Sequence, residues 1–268
     1  ISRFARERVK VALSGDGGDE LFFGYERPRS LLRDGELFRW PRRLRHLLYL
    51  LGRLGLGPRR SDVIVHPTAG DYYFSVNCRF PVNELEALAP DIGPLPAGFD
   101  LYRGPTASDA RSLAEFSRRV EIGGQLQRGL KKVDMASMHH GLEVRVPLLG
   151  NAVVEASFAI DPLLHLGDGG RKVLLRRALT RRVPAETLQQ RKLGFGIPLG
   201  TMLRGPLRPL VEGTLFDRPL WPAGLFDRAA VERFWRRHQR EEVDRKWALW
   251  ALLSLQWWSE RALDGATT

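Results

Sequence analysis

Apolar and polar positions follow two different periods along this chain, and the short one occupies only brief stretches. Residues 9–13 (VKVAL) read as a short buried strand, and residues 21–33 as the start of helix after a glycine-rich loop. Strand, glycine loop, helix is the layout by which an α/β sheet presents a ligand site at its strand ends. Beyond that point the spacing is helical. Leu37, Trp40, Leu44, Leu47, Leu48 and Leu51 recur at helical intervals within residues 36–56, interleaved with Arg39, Arg42, Arg43 and Arg45. The pattern predicts a packed leucine stripe under a solvated basic face, with contact to membrane or RNA as the alternative. Pro41 is expected to begin that helix.

Proline and glycine cluster over residues 85–105, which predicts a loop or joint. Residues 109–141 read as two helical pieces broken near Gly123-Gly124, with Leu126, Leu130, Val133 and Ser137 on one face of the second. "GLEVRVPLLG" reads as extended. A helix at 151–159, a Gly-Asp-Gly-Gly turn and a basic helix from Arg171 to Arg182 follow, and Pro184 reopens a helix. "RKLGFGIPLG" reads as a loop, and 227–262 as a helical pair. There is no internal repeat or low-complexity segment. The expected class is therefore α/β, predominantly helical after one strand.

Composition narrows the picture only a little. With 268 residues, 43% of them hydrophobic, the chain suffices for one large domain or two small ones. No apolar run is long enough to cross a bilayer, and the N-terminus carries no signal-peptide core. The lone Cys78 excludes an internal disulfide framework and a cysteine zinc cluster, so a reducing cytoplasm is the default expectation. The net charge of +11 fits nucleic acid, an anionic surface or a phosphate-bearing substrate. It equally fits a GC-rich genome that writes Arg for Lys. Ile1 is not an initiator methionine, and a strand so near the start reads as part of a longer protein.

Chemistry concentrates in Ser14-Gly15-Asp16-Gly17-Gly18-Asp19-Glu20. Glycines let backbone N–H groups approach an anion, so Ser14 and Gly15 can offer donors to a nucleotide. A carboxylate beside phosphate is repulsive unless a hard cation stands between them, and Mg²⁺ takes one or two protein carboxylates together with phosphate oxygens. The plainer reading is a tight turn with an Asp capping the next helix. No Walker A ending is present. Asp134, Glu143 and Arg145 lie among apolar neighbours, which predicts a buried carboxylate–arginine pair. Lys172 stands near a helix start, where a cation opposes the helix dipole unless an anion is present. Lys192 lies in a glycine-rich loop.

Four stretches occur together: "LSGDGGDELFFGY", "KVDMASMHHGLEVRVPLL", "RKVLLRRAL" and "RKLGFGIPL". In this order and approximate spacing they resemble the synthetase domain of glutamine-dependent asparagine synthetases, and "GLFDRAAVERFW…WALWALLSLQWW" resembles that domain's last helices. The resemblance covers nearly the whole chain and is weakest over 35–105. It implies one partial domain over 1–268, the C-terminal part of an adenine-nucleotide α-hydrolase-like (ATP-pyrophosphatase) fold. It also implies adenylation of the aspartate side chain with ATP and Mg²⁺, then attack by ammonia released from glutamine in a separate N-terminal domain. On the same basis Ser14 and Gly15 would contact ATP, Asp19 would bind Mg²⁺ and Asp16 would act as a base near the acyl group. Lys172 would bind pyrophosphate, and Lys192 would stabilise charge as the adenylate forms.

Departures from the family pattern are local: Asp16 for a longer Glu, Met135 for a common Arg, and Gly150 where an Asp is usual. The family's Ser-Gly-Gly-x-Asp-Ser loop and the N-terminal cysteine nucleophile are not among these residues, so the 268 residues alone are expected to be inactive. Neither a membrane nor a nucleic-acid partner is expected, and a homodimer of the full-length protein stays open. Two alternatives stand beside this reading. One is a related carboxylate-adenylating cyclase that closes a β-lactam or peptide ring; the other is a non-catalytic anion- or nucleic-acid-binding module.

Overall fold

In this computed structural model the described residues are 1–54, 56, 66–78, 82–93, 101–104, 109–167, 170–189 and 196–264. Among them β1 (Val11–Leu13) and β2 (Glu143–Arg145) form a two-stranded parallel sheet, with Val11 opposite Glu143 and Leu13 opposite Arg145. Nearly everything else is helix, so the expected class holds at the level of a mostly helical protein with a small parallel sheet. β1 is shorter and more open than residues 9–13 predict: Leu13 is 73% exposed. Two strands alone give their side chains little to pack against. The predicted buried pair is also corrected. Arg145 Nε donates to Glu143 Oε1 at 2.7 Å, but the side chains are 66% and 53% exposed. Residues two apart on a strand share a face, and here that face is open. Asp134 is exposed too.

The chain forms two compact units, Ile1–Phe74 with Ala97–Arg191, and Ser75–Pro96 with Lys192–Thr268. In the first, the helix Glu26–Gly35 packs against Ala110–Val120. Leu31, Tyr72, Tyr73, Leu113, Phe116 and Val120 form its core. Asp109 caps Ala110–Val120 by accepting from Ser112 N–H. The predicted break at Gly123-Gly124 does not occur. Residues Glu121–Leu126 are a π-helical turn leading straight into the helix Gln127–Met138. A Cβ on Gly123 would sit 3.0 Å from Leu101, and one on Gly124 3.2 Å from the Tyr102 hydroxyl. These glycines admit a neighbouring segment instead of ending the helix.

Other boundaries shift for local reasons. Residues 21–33 divide into Gly18–Leu21 and Glu26–Gly35, separated by a turn in which Phe23 adopts φ +54°. The basic helix shortens to Val173–Leu179 because Lys172 is itself left-handed. The helix Asn151–Ala159 appears where expected, and Gly150 at its N-cap supplies no side-chain bond. Pro41 does begin a helix, Arg42–Arg53, but its leucine stripe faces outward.

The regular elements of the second unit's described residues are all helices. Leu199–Arg204, Arg208–Leu215, Arg228–Gln239 and Lys246–Asp264 enclose a core of Leu203, Val211, Leu215, Val231, Leu249 and Leu253. Asp227 caps the third by accepting from Ala230 N–H. The expected C-terminal helical pair is thus present.

Candidate functional site

At the end of β1 the ladder continues for one more residue, with Ser14 N–H donating to Arg145 O at 2.9 Å. The backbone then turns. Ser14 Oγ donates to Asp16 Oδ2, and Asp16 N–H returns a bond of 3.3 Å to Ser14 Oγ. Gly17 has φ +82° at the N-cap of Gly18–Leu21, a conformation only glycine adopts without strain. A Cβ there would overlap Leu149, and one on Gly18 would come within 2.9 Å of Leu148. The "PLL" segment after β2 therefore seats directly on the glycine loop. Gly15 differs: it is exposed, and a Cβ on it would meet nothing within 4 Å.

Asp19 is the first charged side chain of the short helix, and Lys172 Nζ lies 3.0 Å from its Oδ1. Lys172 occupies the N-cap of Val173–Leu179. The anion its position demands is the Asp19 carboxylate, more than 150 residues away in sequence. Gly24 lies behind the pair. A Cβ at that position would be 2.6 Å from Lys172 Cε and would overlap Asp19 Oδ1, while its N–H is fixed on Asp19 O at 2.8 Å.

The lysine-bearing segment is held by the helix Glu26–Gly35. Arg29 donates to Leu166 O at 2.8 Å and also to Gly170 O, and Glu26 lies 3.8 Å from Arg171. Below the turn, the rings of Phe22 and Phe23 pack 5.7 and 5.8 Å from His165. His165 and Arg118 NH1 both reach Ser157 O, at 3.0 and 2.8 Å. Burial, reinforced by the Arg118 charge, holds the His165 imidazole below its ordinary range.

A second buried charge network adjoins the loop. Tyr25 donates to Glu20 Oε1 at 2.7 Å, and burial pushes both groups upward, Glu20 despite that hydrogen bond. Arg27 makes a two-pronged bond to Glu121, at 3.1 and 2.7 Å, and Tyr73 also donates to Glu121. Burial alone would push the Arg27 guanidinium down, but its bonds and attraction to Glu121 prevail and raise it. Sequence reasoning missed Arg27 and Glu121. The available signal was an acid at helical spacing from the small residues Ala114 and Ser117, a face that packs closely.

The structure therefore brings Ser14 together with Asp16, and Asp19 together with Lys172, on one glycine loop. Lys192 lies outside the described residues. Among those residues no three His, Cys, Asp or Glu side chains cluster to hold a metal. A half-buried Asp19 carboxylate at a glycine turn is the donor that suits Mg²⁺, whose remaining ligands would be phosphate oxygens and water. A cleft of about 330 Å³ along the helix that follows Lys172 is bordered by Arg171, Arg176 and Arg177, and neither Lys172 nor Asp19 lines it.

Comparison with known proteins identifies the family. The asparagine synthase family matches residues 1–260. Putative glutamine-hydrolyzing asparagine synthetases of Mycobacterium bovis and Mycobacterium tuberculosis are 30% identical over 266 residues, 96% of this chain and 40% of theirs. Asparagine synthetase 1 (glutamine-hydrolyzing) of Bacillus subtilis is 25% identical over 96% of this chain and 41% of its own. The chain thus spans about two fifths of the length of these relatives. No solved structure gives a significant match. Since the family match runs through both compact units and includes the loop that carries Asp19 and the segment that carries Lys172, this chain belongs to the asparagine synthase family.

Proposed function

We propose that this chain carries the ATP-using site of an amide-forming ligase, in the C-terminal part of an adenine-nucleotide α-hydrolase-like domain. An oxygen of the aspartate side-chain carboxylate attacks the α-phosphorus of ATP, and the bond to pyrophosphate breaks. Ammonia from glutamine, supplied by a glutaminase domain, then attacks the acyl carbon; AMP leaves with the carboxylate oxygen, giving asparagine. The Asp19–Lys172 pair at the mouth of a glycine loop carries this reading. The names of the glutamine-hydrolyzing relatives supply the reaction class.

Each residue then has a role suited to its type. Exposed Gly15 and the neighbouring Ser14 approach the nucleotide. Asp19 would hold Mg²⁺, which supplies positive charge against the departing pyrophosphate. Lys172 binds pyrophosphate, and Lys192 offsets the charge that develops as the adenylate forms. Asp16, oriented by Ser14, takes the proton released when ammonia adds.

The test is aspartate-dependent ATP–pyrophosphate exchange, measured on the protein at the full length of its open reading frame. Asp19→Asn and Lys172→Met are each expected to lower exchange by about 10²–10³-fold, the usual worth of one charge-stabilising group. Lys192→Ala is expected to abolish it with the fold retained. Exchange that another carboxylic acid stimulates while aspartate does not would replace aspartate as substrate. Wild-type exchange in both Asp19→Asn and Lys172→Met would remove the site. A non-catalytic binding module gives no reason for the Asp19–Lys172 pairing and is the weaker reading.

A further inference from the structure

The helix Arg42–Arg53 is turned opposite to the packed stripe that its sequence predicts. The residue it buries is Arg45, 3% exposed, whose guanidinium donates to His66 O at 2.7 Å and Pro67 O at 3.0 Å and lies 4.9 Å from the Phe38 ring. Of its leucines Leu44, Leu47 and Leu50 lie outside, while Leu48 and Leu51 are half-buried. At 3.6 residues per turn Leu44, Leu47, Leu50, Leu51 and Leu54 share an arc of about 120°. Leu44, Leu47, Leu50 and Leu54 are between 42% and 73% exposed, and Trp40 just before them is exposed as well. Exposed Arg42 and His46 border this face, and exposed Arg43 lies within it at its N-terminal end. From Leu37 to Arg60 the sequence holds seven arginines and not a single Asp or Glu.

Charge decides what covers such a face. A second copy would bring one basic face against another, with no carboxylate in the helix to relieve the repulsion. Nucleic acid would satisfy the arginines and leave the leucines in water. An anionic lipid surface satisfies both, with headgroup phosphates for the guanidinium groups, the acyl boundary for leucine, and the interface for Trp40. We propose that Trp40 and the helix Arg42–Arg53 form a peripheral docking surface for anionic phospholipid, with the helix lying in the plane of the interface. This site is independent of the ligase reading. It does not cross the membrane: no helix among the described residues is long and apolar enough to do so.

Co-sedimentation of the protein, at the full length of its open reading frame, with phospholipid vesicles tests the proposal. Binding is expected to vesicles containing phosphatidylglycerol, to be at least ~10-fold weaker to pure phosphatidylcholine, and to weaken with salt. Leu47→Glu/Leu50→Glu and Arg42→Glu/Arg43→Glu should each weaken it by at least ~10-fold. All four side chains point to solvent, so circular dichroism should stay unchanged. Brominated lipid should quench a fraction of the tryptophan emission that disappears in Trp40→Phe. Failure to sediment with either vesicle overturns the proposal. So does binding indifferent to the two leucine substitutions, or a lipid-free oligomer that those substitutions dissociate.

Discussion

The Lys172 ammonium lies 3.0 Å from the Asp19 carboxylate, and the bare Cα of Gly24 closes the space behind both. Gly24 cannot back away, because its own N–H is bonded to Asp19 O at 2.8 Å. An added methyl group must therefore push on the ion pair. Gly24→Ala is expected to cost about 1–3 kcal/mol, the usual penalty of overpacking. It should lower ATP–pyrophosphate exchange by more than the stability loss explains. Urea unfolding gives the first quantity and exchange kinetics on the folded variant the second. Full exchange in Gly24→Ala would detach the pair from the reaction.

Arg27 and Glu121 form a two-pronged ion pair in the first unit, with Glu121 only 2% exposed. Truncating the arginine strands a buried carboxylate that Tyr73 alone must satisfy. Arg27→Met is expected to destabilise on the order of 3 kcal/mol, whereas Arg27→Met/Glu121→Gln should recover much of that loss. Chemical unfolding of the two variants checks this. If the double variant is as unstable as the single one, the cost lies in packing and not in uncompensated charge.

His165 and His238 are both fully buried. Burial, followed by the nearby Arg118 or Arg204 charge, holds each imidazole below its ordinary range, although Asp244 opposes the shift at His238. The unfolded chain binds these protons below about pH 6.5, while the native chain refuses them until the pH is lower. Stability present above that pH is therefore lost as pH falls toward the depressed native values, by at most ~1.4 kcal/mol per pH unit for each group. At His238 protonation of Nδ1 also breaks the bond it accepts from Arg245 N–H at 3.1 Å. Six of the seven tryptophans belong to the unit that contains His238, so a fluorescence melt follows its surroundings. His238→Asn is expected to flatten the decline in melting temperature between neutral and mildly acid pH. A parallel decline in both proteins would assign it to other groups.

Legibility in the sequence followed the range of the interactions. Elements fixed by local chemistry were readable: the glycine loop after a strand, the helix opened by Pro41, the helix after Gly150. Lys172 was readable in a subtler way, because a cation at a helix start calls for an anion, although nothing local said it would be Asp19. Gly123-Gly124 misled, since a glycine that admits Leu101 and Tyr102 looks the same in sequence as one that ends a helix. The leucine stripe of Arg42–Arg53 misled for a related reason. Periodicity shows that a face exists, but which face is buried was decided by the carbonyl groups of His66 and Pro67, which capture Arg45 from 21 and 22 residues away. The Arg27–Glu121 pair, 94 residues apart, left only the faint trace of one acid in line with the small residues Ala114 and Ser117.

Gly15 separates a demand of the fold from a demand of a ligand. Gly17, Gly18 and Gly24 are each pressed by a neighbouring side chain, so glycine there is required by packing. Gly15 has open space where a Cβ would go, and its backbone is not in the left-handed region, so packing gives no reason for glycine at that position. Alanine reduces the freedom of the unfolded chain, so Gly15→Ala is expected to stabilise the protein by about 0.4–1 kcal/mol. If the bare backbone serves to let a nucleotide approach, the same substitution should raise the KM for ATP in pyrophosphate exchange several-fold, with little change for aspartate. A more stable protein that binds ATP less well is an outcome that a purely structural glycine cannot produce. Unaltered ATP dependence in Gly15→Ala would take this residue out of the nucleotide site while leaving Asp19 and Lys172 to be judged on their own variants.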